Sequence, residues 1–272
     1  MKDIAIMYDF DGTLASGNIQ EYNFIPALNM ASGEFWEDVN DLATKNNMDT
    51  NLAYMYLMLK MAENKNISIK RDSFKEYGRN VHFYPGVMEW FDRINDYGKS
   101  IGVNVHHYII SSGIKEMIEG TKIADKFDKI YASSFLYSVD DIAKWPAVSV
   151  NYTNKTQFLF RINKGCLEIY DKKINEAMSE NERYIPFSNM IYLGDGDTDV
   201  PCMKLVKGFG GKSIAVYDNP LRKTTAEKLY SDDRVNYISE SNYTNNSYLD
   251  KYVKTCLDNI RCKMNIEGME NE

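Results

Sequence analysis

No apolar run in this chain is long enough to cross a bilayer, because the first hydrophobic stretch, Ile4-Ala5-Ile6-Met7-Tyr8, is broken by Asp9 and Asp11. That is too soon for a spanning helix or the apolar centre of a signal peptide, so the cytoplasm is the expected compartment, with no membrane partner. Cysteine is scarce. The 4 present, Cys166, Cys202, Cys256 and Cys262, show neither the CxxC spacing of a zinc site nor the density of a disulfide scaffold, and they read as reduced thiols. Basic clusters are missing as well: 32 Lys and Arg against 39 Asp and Glu give a net charge of −7. A nucleic-acid partner held by general electrostatics is thereby excluded, since such binding needs concentrated positive charge to displace counterions from phosphates. Histidine is rarer still, at 3. The adjacent pair His106-His107 does not read as a metal site, because neighbours on a strand point to opposite faces. The Asn-x-Ser/Thr triplets at Asn151 and Asn242 carry no glycosylation meaning without a secretory signal.

What is present is globular. Hydrophobic residues make up 44% and charged residues 26% of 272, enough for one large domain, or for a core with a smaller second domain. Short runs of β-branched and aromatic residues recur at Ile4–Tyr8, Val105–Ile110, Lys129–Ala132, Met190–Leu193, Ser213–Val216 and Val235–Ile238, with helix-like stretches between them. Apolar strands alternating with helices predict an α/β fold with a parallel sheet covered on both faces.

Between Ser16 and Tyr84 the pattern changes. No buried strand is evident, and Leu52, Tyr56 and Leu59 recur at helical spacing in a Met-rich stretch, which predicts a helical insertion. Gly17 bounds it on one side and Tyr84-Pro85-Gly86 on the other, before an amphipathic segment with Val87, Trp90, Phe91 and Ile94. The segment Phe135–Thr153 predicts a hairpin projecting from the core. After Ile238 a polar linker leads to a last helix from Tyr248 to about Met264, with frayed residues beyond it. The expected division is a core of 1–15 and 85–245, an insertion of 16–84, and a C-terminal helix and tail of 246–272.

Chemistry concentrates at strand ends, where ligand sites of parallel sheets lie. Asp9-Phe10-Asp11-Gly12-Thr13 follows the first strand directly; an ordinary solvated Asp-Gly turn accounts poorly for two acids and a threonine after an apolar strand. Tyr108-Ile109-Ile110-Ser111-Ser112-Gly113 ends another strand before the helix-like Ile114–Ile118, whose first amides could hold an anion, although Ser-Ser-Gly is also an ordinary capped turn. Met190–Leu193 runs into Gly194-Asp195-Gly196-Asp197-Thr198-Asp199, an acidic loop suited to a hard cation. Capping of the next helix would explain Asp199 but neither Asp195 nor Asp197.

If these loops sit together, Asp9, Asp11, Asp195 and Asp199 share one pocket, where two like charges at 4 Å repel by about 4 kcal/mol at an effective dielectric near 20. A divalent cation relieves that repulsion, and magnesium suits oxygen ligands and substrate phosphate. A phosphoryl group also needs a fixed positive partner. Lys155, in Asn154-Lys155-Thr156 near a helix start, is one candidate and Lys164 the other.

In this order the four segments resemble motifs one to four of the haloacid dehalogenase-like superfamily, across the whole core. Asp9-Phe10-Asp11-Gly12-Thr13 matches its DxDGT signature, Ser111 its second-strand serine, and Gly194-Asp195 with Asp199 its acidic motif. The resemblance implies a Rossmann-like doubly wound parallel sheet with a small helical cap of type one, and the nearest branch is the phosphoserine phosphatase-like group. It further implies that Asp9 attacks phosphorus to give an aspartyl phosphate, and that Asp11 shuttles the proton. Asp9, the backbone carbonyl of Asp11 and Asp195 would hold Mg2+, supported by Asp199. Ser111, the Ser112 amide and Lys155 would bind phosphate. Dehalogenating members lack the second aspartate, so Asp11 points to phosphorus chemistry on a small phosphorylated metabolite. The long interval after motif two and the C-terminal tail depart from the phosphoserine phosphatases and leave the substrate open. A phosphotransferase or mutase and a silent phosphate-binding module are the rival readings. Arg71, Arg79, Trp36 and Tyr54 are candidates to meet the substrate, more simply read as ordinary insertion residues. The sequence leaves the oligomeric state open.

Overall fold

The structure, a computed structural model, describes residues 2–270. Among these, seven strands form one sheet: β1 (Lys2–Tyr8), β2 (Val103–Ile114), β3 (Lys129–Tyr137), β4 (Ala143–Val148), β5 (Met190–Gly194), β6 (Lys212–Tyr217) and β7 (Tyr237–Glu240), in the order β4-β3-β2-β1-β5-β6-β7. All neighbours run parallel except β4, which returns antiparallel to β3. The helices are α1 (Phe24–Ala27), α2 (Ser32–Asn46), α3 (Thr50–Asn64), α4 (Arg71–Gly78), α5 (Val87–Ser100), α6 (Lys115–Glu119), α7 (Thr156–Lys164), α8 (Val200–Gly208), α9 (Pro220–Ser231) and α10 (Tyr248–Glu270). This is the α/β fold with a covered parallel sheet that the strand and helix pattern predicts, in the Rossmann-like doubly wound form that the resemblance implies. No helix among the described residues is long and apolar enough to cross a membrane.

Successive side chains of β1 point to opposite faces, and both faces are covered. Ile4, Ile6 and Tyr8 pack with Trp90, Phe91 and Ile94 of α5 and with Leu249, Val253 and Leu257 of α10. Ala5 and Met7 pack instead with Phe158 and Ile162 of α7, Met203 and Val206 of α8, and Ala226 of α9. Fully burying a side chain such as Phe91 contributes about 1.5–3 kcal/mol, so this two-sided cover fixes the strand that carries Asp9. The histidines divide as the strand period requires. His107 is buried against Tyr8 and Asn95 at 3.0 and 3.1 Å, whereas His106 meets Asp128 and Asp3 at 3.0 and 3.1 Å.

Several boundaries differ from the sequence reading. β2 continues through Ser111, Ser112 and Gly113 to Ile114, so the following helix is only the short α6, beginning at Lys115. β7 starts at Tyr237 because Asn236 is already committed: its amide donates to the Ser213 carbonyl and its side chain accepts from the Ser213 amide, both at 2.8 Å. α10 runs on to Glu270, past the end expected near Met264, although its buried stripe of Leu249, Val253, Cys256, Leu257, Ile260 and Met264 stops there among the described residues. Of the residues expected to fray beyond Met264, those up to Glu270 are helical, and Asn271 and Glu272 lie outside the described residues.

Between β1 and α5 the described regular elements are helical. Within this insertion α3 is a helix as expected, but with a different face inward. Ala53, Tyr54, Met55 and Met58 are buried, while Leu52 and Tyr56 are exposed. β3 and β4 form the expected hairpin, and it docks on the insertion through Arg71 N to the Asp141 carbonyl at 3.3 Å and Ala143 N to the Ile69 carbonyl at 3.0 Å. The four cysteines are free thiols.

Candidate active site

Register places the candidate residues before any side chain is considered. Tyr8, the last residue of β1, pairs with Ile109 of β2 on one side and with Leu193 of β5 on the other. The residues that follow on all three strands therefore emerge at the same level: Asp9 and Asp11, Ser111, and Asp195. A backbone hydrogen bond from Asp9 N to the Leu193 carbonyl at 2.9 Å secures the junction. The site lies at the carboxyl edge of a parallel sheet.

Lys155, just before α7, is fully buried, with Nζ 2.8 Å from Asp199 Oδ1 and 3.1 Å from Asp9 Oδ2. Burial works against its charge, yet Asp199 and Asp9 outweigh that effect and hold its proton more firmly than in water. Lys164 turns elsewhere, donating to the carbonyls of Ile174 and Glu176 at 2.7 and 2.6 Å. Asp199 sits at the N-cap position of α8 without capping it. Its carboxylate instead accepts from Lys155, from Tyr192 OH at 2.7 Å and from Asp195 N at 3.3 Å. The close approach behind that last contact requires Gly194, where a Cβ would lie 2.4 Å from Asp199 Oδ2.

The two aspartates of the first motif differ in environment. Asp9 Oδ1 accepts from Phe10 N at 2.8 Å and Oδ2 faces Lys155. Burial raises its pKa; Lys155 pulls it down and Asp199 pushes it up again. Asp11 has no lysine in contact. Its Oδ1 accepts from Ile19 N at 2.8 Å, and burial followed by the charge of Asp9 raises its pKa well above the usual carboxylate value. Ser111, also buried, accepts at Oγ from Gly113 N at 3.1 Å.

Asp9, Asp195 and Asp199 each offer a carboxylate oxygen within 4.8 Å of the others. An all-oxygen cluster of this kind fits a hard divalent ion better than a thiophilic one. Burial first, then Asp199 and Asp9, push the Asp195 carboxyl up to about 7, while Arg222 opposes them. Asp195 Oδ2 lies 3.2 Å from Arg222 Nη1. Both crowd Gly12, whose φ is +73° and where a Cβ would fall 2.2 Å from Asp195 Oδ2 and 2.5 Å from Arg222 Nη1.

Lys155 thus bridges Asp9 and Asp199, and Asp195 completes a three-carboxylate cluster with them, with Asp11 and Ser111 nearby at the same strand ends. The Asp11 carboxylate is turned to Ile19 rather than into the three-aspartate cluster. Ser112 reaches the insertion through its carbonyl, which accepts from Tyr54 OH. Trp36 Nε1 donates to Glu21 at 2.7 Å. Two insertion residues stand outside the cluster. Arg71 is engaged by Asp141 and Glu116 at 3.3 and 3.8 Å and stacks on Tyr137, and Arg79 pairs with Glu76 at 2.6 Å. Sequence reasoning missed Tyr192 and Arg222. Tyr192 stands two residues before Gly194 on β5; Arg222 becomes visible only once β6 is known to neighbour β5.

A family model described as haloacid dehalogenase-like hydrolase matches residues 6–204. A relative from Borreliella burgdorferi, described as an uncharacterized protein, is 30% identical over 283 residues, covering 93% of this chain and 97% of its own length. Among solved structures, a HAD family hydrolase from Salmonella enterica serovar Typhi is similar at a TM-score of 0.57 and 16% identity, over 86% of this chain and 66% of that one. A phospho-aspartyl intermediate analogue of phosphoserine phosphatase gives 0.56 and 12%, over 94% and 99%. A probable phosphoserine phosphatase from Vibrio cholerae gives 0.56 and 13%, over 98% and 67%. At these identities the structural likeness is one of fold.

Proposed function

The chain belongs to the haloacid dehalogenase-like hydrolases, and on that premise we propose that it is a magnesium-dependent phosphatase that cleaves a small-molecule phosphate monoester through an aspartyl phosphate on Asp9. The observation that carries this reading is the difference between the two aspartates. Burial pushes the Asp9 carboxyl up, and a buried lysine facing it offsets part of that push, leaving it at about 6 and largely ionised at neutral pH. Asp11, two residues on, has no such partner and favours its protonated form. One group is suited to attack and the other to deliver a proton.

In the first half-reaction an Asp9 oxygen bonds to phosphorus as the ester P–O bond breaks, and the departing oxygen takes the Asp11 proton. In the second, the Asp11 carboxylate removes a proton from water. The water oxygen bonds to phosphorus, the bond to Asp9 breaks, and inorganic phosphate leaves with Asp11 reprotonated. Lys155, held by Asp9 and Asp199, offsets negative charge on the phosphoryl group, and Ser111 with the Ser112 amide orients its oxygens. Mg2+ would be held by Asp9, the Asp11 carbonyl and Asp195 with support from Asp199, and when bound it neutralises phosphoryl charge. Residues 16–84 serve as the cap over a core of 1–15 and 85–245, with 246–272 as a C-terminal addition.

The test is hydrolysis of a chromogenic phosphate ester with Mg2+. Asp9→Asn should abolish turnover, and Asp11→Asn should lower it by roughly 10²–10⁴-fold. Equal activity in the parent and both variants overturns the mechanism. Transfer of phosphate to an added acceptor alcohol in preference to water would identify a phosphotransferase.

A further inference from the structure

Arg222 is brought to the acidic cluster by strand order and by the cap of α9. β6 pairs beside β5, with Ala215 opposite Gly194, so the turn after β6 emerges next to the Asp195 loop. Asn219 then caps α9, accepting from the amides of Leu221 and Arg222 at 3.0 Å, and fixes Arg222 in the first turn. From there its Nη1 lies 3.2 Å from Asp195 Oδ2, buried over Gly12 and without a well-aligned hydrogen-bond acceptor. A guanidinium nitrogen that close to a carboxylate, yet poorly aligned, is held by charge more than by a directed bond.

A second carboxylate stands within reach. Arg222 Nε is 3.7 Å from Asp218 Oδ1, and Asp218 is itself anchored, since its Oδ2 accepts from Tyr84 OH at 2.7 Å. Arg222 therefore has one contact toward the acidic cluster and one away from it.

Resting on the metal-site reading of Asp195, we propose that Arg222 sets the affinity of the divalent-cation site by competing with the ion for Asp195, with Asp218 as the alternative partner that draws the guanidinium aside. Arg222 and a cation call on the same negative charge. Whatever strengthens the arginine's hold on Asp195 weakens the ion, and whatever strengthens its hold on Asp218 does the reverse. Arg222 in this sense acts on the ion only through the charge of Asp195.

Calorimetric titration of the full chain with Mg2+ alone tests this through binding, without reference to turnover. Arg222→Gln should tighten Mg2+ by about fivefold, the scale of one partly exposed ion pair. Arg222→Lys should stay near the parent, and Asp218→Asn should weaken Mg2+ by a similar factor, because the arginine is left committed to Asp195. Opposite shifts from Arg222→Gln and Asp218→Asn support the proposal. Unchanged affinity in both, or weaker binding in Arg222→Gln, overturns it; the latter would mean that Arg222 merely holds Asp195 in place. Should Arg222→Gln fail to fold, the direction of the Asp218→Asn shift decides. Asp195→Asn separates the two readings: if the parent binds no more Mg2+ than this variant, the metal site itself is wrong, and the competition fails with it.

Discussion

Lys155 Nζ and Asp199 Oδ1 lie 2.8 Å apart with both side chains wholly buried, and the same ammonium reaches Asp9 at 3.1 Å. Removing one member of such a group leaves the others charged and unpaired in a poorly solvated place. Lys155→Met should therefore lose about 3–5 kcal/mol of stability at neutral pH, read from urea unfolding midpoints. A loss under about 1 kcal/mol would show that the lysine is not the structural partner of these carboxylates.

The Asp195 carboxyl, pushed up to about 7 from 3.8 by burial and by Asp199 and Asp9, holds its proton more tightly in the folded chain than in the unfolded one. The stability it contributes when protonated is lost as pH rises through about 7, and Asp11 acts in the same direction. With divalent ions chelated, unfolding free energy should fall as pH rises from about 6.5 to about 8. His106, raised above 6.5 by Asp128 and Asp3, adds to the fall in this window, whereas His107, lowered to about 3 by burial, works in the opposite sense but only below 6.5. Asp195→Asn should flatten the slope in the upper window; an unaltered slope would assign it to other groups.

Gly12 combines a φ of +73° with a site where a Cβ would fall 2.2 Å from Asp195 Oδ2. Gly12→Ala should raise the strain of the loop by about 1–2 kcal/mol and displace Asp195. Mg2+ affinity should fall at least tenfold by calorimetry while the fold persists by circular dichroism. Parent-like affinity would mean that the loop accommodates a methyl group, and that Gly12 does not define this edge of the cluster.

Tyr54 OH, on α3 of the insertion, donates to the Ser112 carbonyl on β2 and ties the insertion to the strand end that carries Ser111. Tyr54→Phe should cost about 1 kcal/mol. Hydrogen exchange should quicken across Thr50–Asn64 but not in the β1 amides, whose strand is covered on both faces. Equal protection in the parent and the variant would show that packing alone holds α3 in place.

Much of this was readable from the sequence because the information was local. A strand that alternates into two apolar layers must be covered on both faces, and chemistry placed directly after such strands falls at their carboxyl edge. Ile4–Tyr8 before Asp9, and Met190–Leu193 before Gly194-Asp195, therefore located the cluster without coordinates. The helical character of α3 was legible too, but not its inward face, since Leu52 and Tyr56 are as apolar as the residues that were buried in their place. The choice between Lys155 and Lys164 was open for a related reason: two lysines on one helical segment differ only in the direction they face. The structure shows those directions, sending Lys155 to Asp9 and Asp199 and Lys164 to backbone carbonyls. Arg222 was beyond sequence reasoning altogether. It meets Asp195 because β6 lies beside β5 and Asn219 fixes the start of α9, a proximity set by strand order rather than by spacing along the chain. The sequence determined which acids end the strands; only the tertiary structure decided which cations face them, because charge pairing depends on through-space distance.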